Sequence, residues 1–229
     1  MLNSPRRRSS STIRRPAIST PPEALLFDLD GTLLDSELLW EAAQNETMDY
    51  FGQTWTDEDQ ASSIGGPIER VVNHMATRTG ADTGHLARIL VTEIEHKVST
   101  TRAHWMPGAR ELLIAANQAG IPVAVVSNSW RVLLDLLMHN IDVPVDLTVS
   151  STEVERPKPD PQPFLYACEQ LRVNPLNCVV IEDSPTGAAA GIAAGCAVVG
   201  VGPALRDVVG ERYRHVESLA EVDLASLSG

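Results

Sequence analysis

Short apolar, β-branched runs alternate with helix-forming segments along most of this chain, and this alternation limits the possible folds more than any other feature. Two of the runs, Val123–Val126 and Val179–Ile181, are hydrophobic at every position. Such continuous hydrophobicity is typical of strands that are covered on both faces. Strands that alternate with helices favour βαβ units and a parallel sheet. We therefore predict an α/β fold with a Rossmann-like parallel sheet, with strands at Ala24–Asp28, Ile121–Ser127, Leu147–Ser150, Cys178–Glu182 and Ala197–Val201.

Residues 36–105 interrupt this alternation. They show no convincing strand but contain three amphipathic segments, at Glu37–Phe51, Ile68–Thr79 and Gly84–Ser99. A connection of this length usually has a function of its own. We predict a helical cap domain at 36–105, inserted after the first strand into a core domain formed by 21–35 and 106–229. Residues 1–20 contain five arginines and no acidic residue, and we expect them to form a disordered basic tail.

The composition excludes several classes of partner. The chain has 18 basic and 30 acidic residues, a net charge of −12, and such an acidic protein would repel the phosphates of nucleic acid. No stretch approaches the roughly 18 consecutive apolar residues that span a bilayer. Cys168, Cys178 and Cys196 are odd in number and lack metal-ligand spacing, which favours reduced thiols in the core. We expect a cytoplasmic monomer that binds neither nucleic acid nor membranes.

Two carboxylates, Asp28 and Asp30, follow the first predicted strand, where Gly31 lets the chain turn. Because side chains alternate along a strand, residues two apart point the same way, and both acids are expected to face one spot. That spot lies at the carboxyl edge of the sheet, where ligands bind in open α/β folds. Two adjacent carboxylates repel each other and therefore require a cation, a shared proton, or both. The alternative is a solvated turn, in which aspartate is a preferred residue.

Three later segments also carry polar residues next to predicted strands or helix starts. Ser127 and Asn128 precede a helix, where a hydroxyl and backbone N–H groups form an anion site, although the same residue types also cap helices. Lys158 is one of only two lysines and lies between two prolines, which restrict the backbone and present its ammonium group rigidly. Glu182 and Asp183 end a buried strand, and carboxylate oxygens are ligands that Mg²⁺ prefers.

In this order and at these strand ends, the four segments resemble the signature motifs of the haloacid dehalogenase superfamily. The strings D-L-D-G-T-L-L-D-S-E and R-P-K-P, together with E-D-S-x-x-G, make the chain similar to the β-phosphoglucomutase-like branch, which includes sugar-phosphate phosphatases. The resemblance covers about residues 23 to 202. It implies a helical cap inserted after the first strand and Mg²⁺-dependent phosphoryl transfer.

The resemblance also implies a role for each matched residue. Asp28 is the implied nucleophile, which forms an aspartyl-phosphate, and Asp30 is the implied general acid and base. The implied phosphate ligands are Ser127, the backbone of Asn128, and Lys158. The implied Mg²⁺ ligands are Asp28, the Asp30 carbonyl and Asp183, with Glu182 at the metal or directly behind its ligands.

Hydrolysis and isomerisation remain the candidate activities. Mutases of this branch place a histidine where this chain has Trp40, and their cap arginine is replaced near Ile68, with Arg70 close but offset. We therefore predict a phosphatase acting on a small phosphorylated metabolite; a phosphosugar mutase and an inactive phosphate-binding module are the alternatives. Trp40 and Arg70 are candidate substrate-binding residues, and Trp40 either stacks on a sugar or is buried in the cap. The cap lysine, Lys97, is expected to form an i,i+4 ion pair with Glu93.

Overall fold

A computed structural model describes residues 21–63 and 66–227 of the chain. Its strands are β1 (Ala24–Phe27), β2 (Leu34–Asp35), β3 (His104–Trp105), β4 (Val123–Val126), β5 (Leu147–Val149), β6 (Cys178–Glu182), β7 (Ala197–Val201) and β8 (Tyr213–Val216). Six of them form one parallel sheet in the order β5-β4-β1-β6-β7-β8. The α-helices are α1 (Glu37–Asp49), α2 (Asp57–Ser63), α3 (Ile68–Thr79), α4 (Thr83–Thr100), α5 (Ala109–Gln118), α6 (Arg131–Met138), α7 (Gln162–Leu171) and α8 (Pro185–Ala193).

Helices cover both faces of the sheet, as continuous hydrophobicity in the central strands requires. In β1, Leu25 and Phe27 belong to an apolar cluster that includes residues of α5 and α6. Ala24 and Leu26 point the other way, into a second cluster that includes residues of α7 and α8. All four side chains are fully buried. The predicted α/β fold with a Rossmann-like parallel sheet is confirmed.

Helices α1 to α4 lie between β2 and β3, so the predicted helical insertion after the first strand is also confirmed. Their inward side chains form a third apolar cluster, which contains Met48, Met75 and Leu90 together with Leu133 of α6. Strands β2 and β3 pair antiparallel, with Asp35 opposite His104. The chain therefore enters and leaves the inserted helices through two adjacent strands, β2 and β3. Whether 36–105 and the rest act as separate domains stays a prediction.

Strands β2, β3 and β8 and helix α2 escaped the sequence analysis. Strand β8 alternates aromatic, charged and apolar residues at the sheet edge, and an edge strand needs no continuous apolar run. The pair formed by β2 and β3 is only two residues long on each side. Helix α2 is seven residues long and carries three acidic residues in its first turn, so its sequence shows no apolar face.

The structure also bears on several smaller expectations, with different outcomes. Lys97 contacts Glu46 of α1 instead of forming its ion pair with Glu93, and the contact ties α4 to α1. Cys168 and Cys178 are buried with their sulfur atoms 3.8 Å apart. Within 21–63 and 66–227, no helix is both long and apolar enough to cross a membrane. The predicted basic tail, residues 1–20, lies outside the described residues.

Candidate active site

Most of the polar residues singled out in the sequence line one cavity of about 100 Å³ between the sheet edge and the inserted helices, namely Asp28, Asp30, Ser127, Asn128, Lys158 and Asp183. Asp28 directly follows β1, and its backbone N–H donates to Ile181 O of β6 at 2.9 Å. Ser127 directly follows β4, and its backbone N–H donates to Val149 O of β5 at 2.9 Å. These ladder bonds fix the two positions at the carboxyl end of adjacent strands. The cavity therefore lies where ligands bind in open α/β sheets.

Lys158 is the buried cation of the site, with 2% of its surface exposed. Its ammonium donates to Asp28 Oδ1 at 2.7 Å, to Glu182 Oε1 at 2.5 Å and to Val126 O at 2.7 Å. These acceptors match its three N–H groups, so a phosphoryl oxygen must share or displace one of them. Burial alone lowers the pKa of Lys158, but Asp28 and Glu182 outweigh burial, and the pKa lies above its usual value.

Asn128 positions the loop that carries this lysine. Its side-chain oxygen accepts from the backbone N–H of Lys158 at 3.0 Å, and its amide nitrogen donates to Lys158 O at 3.1 Å. The phenyl ring of Phe164 lies under the ammonium, 4.9 Å from Nζ to the ring centroid. The asparagine expected to bind phosphate through its backbone thus also holds the lysine through its side chain.

Glu182 is fully buried, and both its carboxylate oxygens accept hydrogen bonds. Oε1 accepts from Lys158, and Oε2 accepts from the hydroxyl of Ser184 at 2.9 Å. A Cβ at Gly187 would lie 1.7 Å from Oε1, so only glycine fits beside this carboxylate. Glu182 is therefore placed to balance the charge of Lys158.

Asp28, Glu182 and Asp183 form a cluster in which one oxygen from each lies within 4.8 Å of the others. Burial raises the pKa of Asp28 well above its usual range, and Lys158 only partly offsets this. Burial and then the charge of Glu182 raise the pKa of Asp183 to about 8. One ammonium group thus faces three carboxyl groups, so the cluster has fewer cationic than acidic groups. Hard oxygen donors that lack a counter-charge are the kind of group that could hold a divalent cation such as Mg²⁺.

The loop after β1 shapes the Asp183 side of the cluster. Thr32 donates to Asp183 Oδ1 at 3.2 Å. Gly31 has a φ of +76°, and a Cβ there would lie 2.2 Å from Asp183 Oδ2. In the D-x-D-G-T string, the glycine thus leaves room for Asp183, and the threonine donates a hydrogen bond to it from 151 residues earlier in the chain.

Asp30 lines the same cavity, and donors outside the acidic cluster hold both oxygens of its carboxylate. Its Oδ1 accepts from the hydroxyl of Ser36 at 2.5 Å and from Nε1 of Trp40 at 2.7 Å. Its Oδ2 accepts from the hydroxyls of Ser129 at 3.2 Å and Ser127 at 3.5 Å. Strand β1 ends at Phe27, so strand alternation does not set the direction of Asp30. Both aspartates nevertheless line one cavity, which agrees with the expectation that they face one spot.

The two candidate substrate residues of the inserted helices differ in position. Trp40 of α1 lines the cavity, and its indole is bonded to Asp30. Arg70 of α3 lies against Gly66 and lines a neighbouring cavity together with His74. The sequence analysis assigned no role to Ser36, Ser129 or Thr32. Thr32 and Ser36 do lie inside the D-L-D-G-T-L-L-D-S-E string, as Gly31 does, and this position is their sequence signal.

Comparison with known proteins gives consistent results. The family model described as haloacid dehalogenase-like hydrolase matches residues 25–201. Hexitol phosphatase A of Escherichia coli is 33% identical over 186 residues, which cover 78% of this chain and 82% of that protein. Phosphoglycolate phosphatase of Nitrosospira multiformis is 32% identical over 76% of this chain and 81% of that protein. The crystal structure of CbbY from Rhodobacter sphaeroides in complex with phosphate superposes with a TM-score of 0.79 at 25% identity, covering 90% and 99% of the two chains.

Proposed function

The chain belongs to the haloacid dehalogenase-like hydrolases, and we propose that within this family it is a Mg²⁺-dependent phosphatase that works through an aspartyl-phosphate. Relatives that are named phosphatases place it among the phosphoric monoester hydrolases. Its proposed substrate is a small phosphorylated metabolite, specifically a sugar phosphate. The observation that carries the proposal is the single cavity that brings together Asp28, Asp30, Lys158 and Asp183.

In the first step, a carboxylate oxygen of Asp28 attacks phosphorus, and the bond from phosphorus to the leaving oxygen breaks. Lys158 holds Oδ1 of Asp28, so the nucleophile is oriented before substrate arrives. The leaving oxygen takes a proton from Asp30. In the second step, water attacks phosphorus of the aspartyl-phosphate, Asp30 accepts a proton from the water, and the bond from phosphorus to Asp28 breaks, which releases inorganic phosphate and restores the Asp28 carboxylate. Splitting one difficult displacement into two easier ones is the advantage of a covalent intermediate.

The remaining residues bind the phosphoryl group and compensate its negative charge. The Ser127 hydroxyl and the backbone N–H groups that follow β4 bind phosphoryl oxygens in this proposal. Asp28, Asp183 and the Asp30 carbonyl would hold Mg²⁺, which would supply positive charge to offset the repulsion between a carboxylate and a phosphate dianion. Glu182 keeps Lys158 in position through their 2.5 Å hydrogen bond.

Replacement of the nucleophile tests this proposal. Asp28→Asn should abolish Mg²⁺-dependent phosphate release while the melting temperature stays close to that of the wild type. Asp49→Asn, the same change at an exposed position at the end of α1, is the matched control and should retain full activity. Appreciable Mg²⁺-dependent release by the Asp28 variant would contradict the nucleophile assignment.

The same assay separates hydrolysis from isomerisation. Ile68, near the position of the mutases' arginine, is 4% exposed and forms an apolar part of the cavity wall, which supports the phosphatase. The enzyme should release phosphate from glucose 1-phosphate or glucose 6-phosphate without a bisphosphate primer. Conversion of a 1-phosphate into a 6-phosphate without net phosphate release would identify a mutase instead.

A further inference from the structure

The two carboxylate oxygens of Asp30 differ in the hydrogen bonds that they accept. Oδ1 accepts two short bonds, from the hydroxyl of Ser36 at 2.5 Å and from the indole N–H of Trp40 at 2.7 Å. A carboxylate oxygen offers about two acceptor positions, so both positions on Oδ1 are occupied. A proton on Oδ1 would have to displace one of these short bonds. Oδ2 is therefore the oxygen with room for the proton that the proposed mechanism moves.

The donors to Oδ2 come from the loop after β4, where the phosphoryl group is proposed to bind. The hydroxyl of Ser129 donates to Oδ2 at 3.2 Å, and the hydroxyl of Ser127 does so at 3.5 Å, which is long for a hydrogen bond. Both serines and Asp30 line the cavity. A phosphoryl group bound at this loop therefore brings its leaving oxygen to the Oδ2 side of the carboxylate.

The Ser127 hydroxyl cannot donate to Asp30 and to a phosphoryl oxygen at the same time, because a serine hydroxyl carries a single hydrogen. Its oxygen accepts from the backbone N–H of Ser129 at 3.0 Å, which fixes the oxygen while the hydrogen can still turn. When that hydrogen turns to a phosphoryl oxygen, as the proposed function requires, Oδ2 loses its longer bond. One acceptor position then opens on Oδ2, and Ser129 is the donor that stays there.

The surroundings of Ser129 keep its hydroxyl in place. Ser129 is 5% exposed, and its backbone oxygen accepts from the backbone N–H of Ser151 at 3.2 Å and from the Ser151 hydroxyl at 3.3 Å. Ser129 also directly precedes Trp130, the N-cap of α6. The start of the helix and the turn at Ser151 therefore hold Ser129 while the Ser127 hydroxyl changes partner.

Resting on the proposed function, we propose that Ser129 is a positioning residue for Asp30, and that the proton given to the leaving group comes from Oδ2. The Ser129 hydroxyl holds Oδ2 toward the leaving oxygen. In the first step the O–H bond at Oδ2 breaks as the bond from phosphorus to the leaving oxygen breaks, and a new O–H bond forms on the leaving group. Oδ2 is left as a carboxylate oxygen that accepts from Ser129 and takes a proton from water in the second step.

The dependence of the rate on the leaving group separates this role from a merely structural one. p-Nitrophenolate is a stable anion and leaves without a proton, whereas an alcohol leaving group needs one from the general acid. Ser129→Ala should therefore lower kcat/KM for glucitol 6-phosphate by about tenfold, the scale of one hydrogen bond to a charged group. For p-nitrophenyl phosphate, kcat/KM should change by about twofold at most. This parameter excludes hydrolysis of the aspartyl-phosphate, a step that both esters share.

A second serine provides the matched control. Ser151→Ala also removes a buried hydroxyl, one that contacts the backbone of Ser129 without touching Asp30. It should leave the ratio of the two kcat/KM values unchanged. Thermal melting of both variants checks that they fold. If Ser129→Ala does not fold, Ser129→Cys is used in its place, because its thiol is only a weak donor and the same loss is expected.

Each other result counts against a specific claim. A loss on p-nitrophenyl phosphate as large as that on glucitol 6-phosphate, or no loss on either ester, would overturn the inference while leaving the phosphatase intact. The same change of ratio in Ser151→Ala would assign the effect to the loop and would also overturn it. If the wild type does not hydrolyse glucitol 6-phosphate, phenyl phosphate replaces it as the ester with the more basic leaving group. An enzyme that hydrolyses none of the three esters in the presence of Mg²⁺ refutes the proposed function instead.

Discussion

The indole of Trp40 donates its hydrogen bond to Asp30, the residue we propose as general acid and base. Trp40 replaces the histidine of the mutases and was considered a stacking platform for a sugar. Its 2.7 Å bond to Oδ1 suggests instead that it orients the carboxylate. Trp40→Phe removes the N–H but keeps an aromatic ring. If Trp40 is a positioning residue, this variant should lower kcat with little effect on KM.

The size of the effect follows from the other donors around Asp30. A hydrogen bond to a charged group contributes about 1.5–3 kcal/mol. The hydroxyl of Ser36 remains on the same oxygen at 2.5 Å, and Ser129 remains on the other oxygen at 3.2 Å. The carboxylate therefore keeps part of its orientation, and the lower end of the range applies. A loss of about 1.5 kcal/mol corresponds to roughly a tenfold decrease in kcat.

Steady-state hydrolysis of glucitol 6-phosphate with saturating Mg²⁺ measures this effect. Trp130→Phe is the matched control, because its indole also donates to a carboxylate, Glu69 Oε1, at 2.7 Å. That bond links the start of α6 to α3, so it connects core and inserted helices without touching Asp30. The control should keep kcat within about twofold of the wild type. Melting temperatures of both variants exclude unfolding as the cause.

Two outcomes would refute this reasoning. If kcat of Trp40→Phe stays within twofold of the wild type, the indole does not orient the catalytic carboxylate. If KM rises and kcat does not change, Trp40 binds the substrate uniformly and the stacking role is correct. An equal loss of kcat in both tryptophan variants would point to the connection between α6 and α3 as the cause.

Two further predictions concern charge. Lys158→Met leaves Asp28 and Glu182 buried without their cation, which costs about 3–5 kcal/mol and should lower the melting temperature of metal-free protein by about 10 °C. Lys97→Met breaks an exposed ion pair and should change the melting temperature by about 1–2 °C at most. Equal shifts of the melting temperature in the two variants would contradict the argument that the buried ion pairs of Lys158 stabilise the fold. The pKa of Asp183, raised to about 8, lies above its unfolded value, so this group destabilises metal-free protein progressively as pH rises from about 4 to about 8. Mg²⁺ binds the ionised carboxylate and should therefore raise the melting temperature more at pH 8 than at pH 5.5, and the opposite order would refute the assignment.

The sheet and the position of the site were predictable because both depend on local pattern. Apolar runs of strand length marked β1, β4 and β6, and polar residues that follow parallel strands must gather at one edge. Asp28, Glu182 and Asp183 meet there for this reason. Lys158 was singled out by its rarity and its flanking prolines, and it proved to be among the largest fully buried side chains.

The partners of these residues could not be predicted, because they depend on distances that sequence spacing does not encode. Two acids, Asp28 and Glu182, share Lys158 across strands. The hydrogen bond from Trp40 to Asp30 joins helix α1 to the loop after β1. Oε1 of Gln44 is buried without a hydrogen-bond partner among the described residues, which is a property of packing between helices. None of these follows from residue type or periodicity.

The antiparallel pair of β2 and β3 makes the helical insertion exchangeable. Asp35 and His104 already lie opposite each other, so the segment between them begins and ends at adjacent points. A relative's helices could therefore be grafted between these two residues without changing the path of the sheet. Such a chimera would keep Asp28, Lys158 and Asp183 and would replace the part of the cavity wall that contains Gln44. The graft would also replace Ser36 and Trp40, so it would change the donors that hold Asp30 together with the substrate wall.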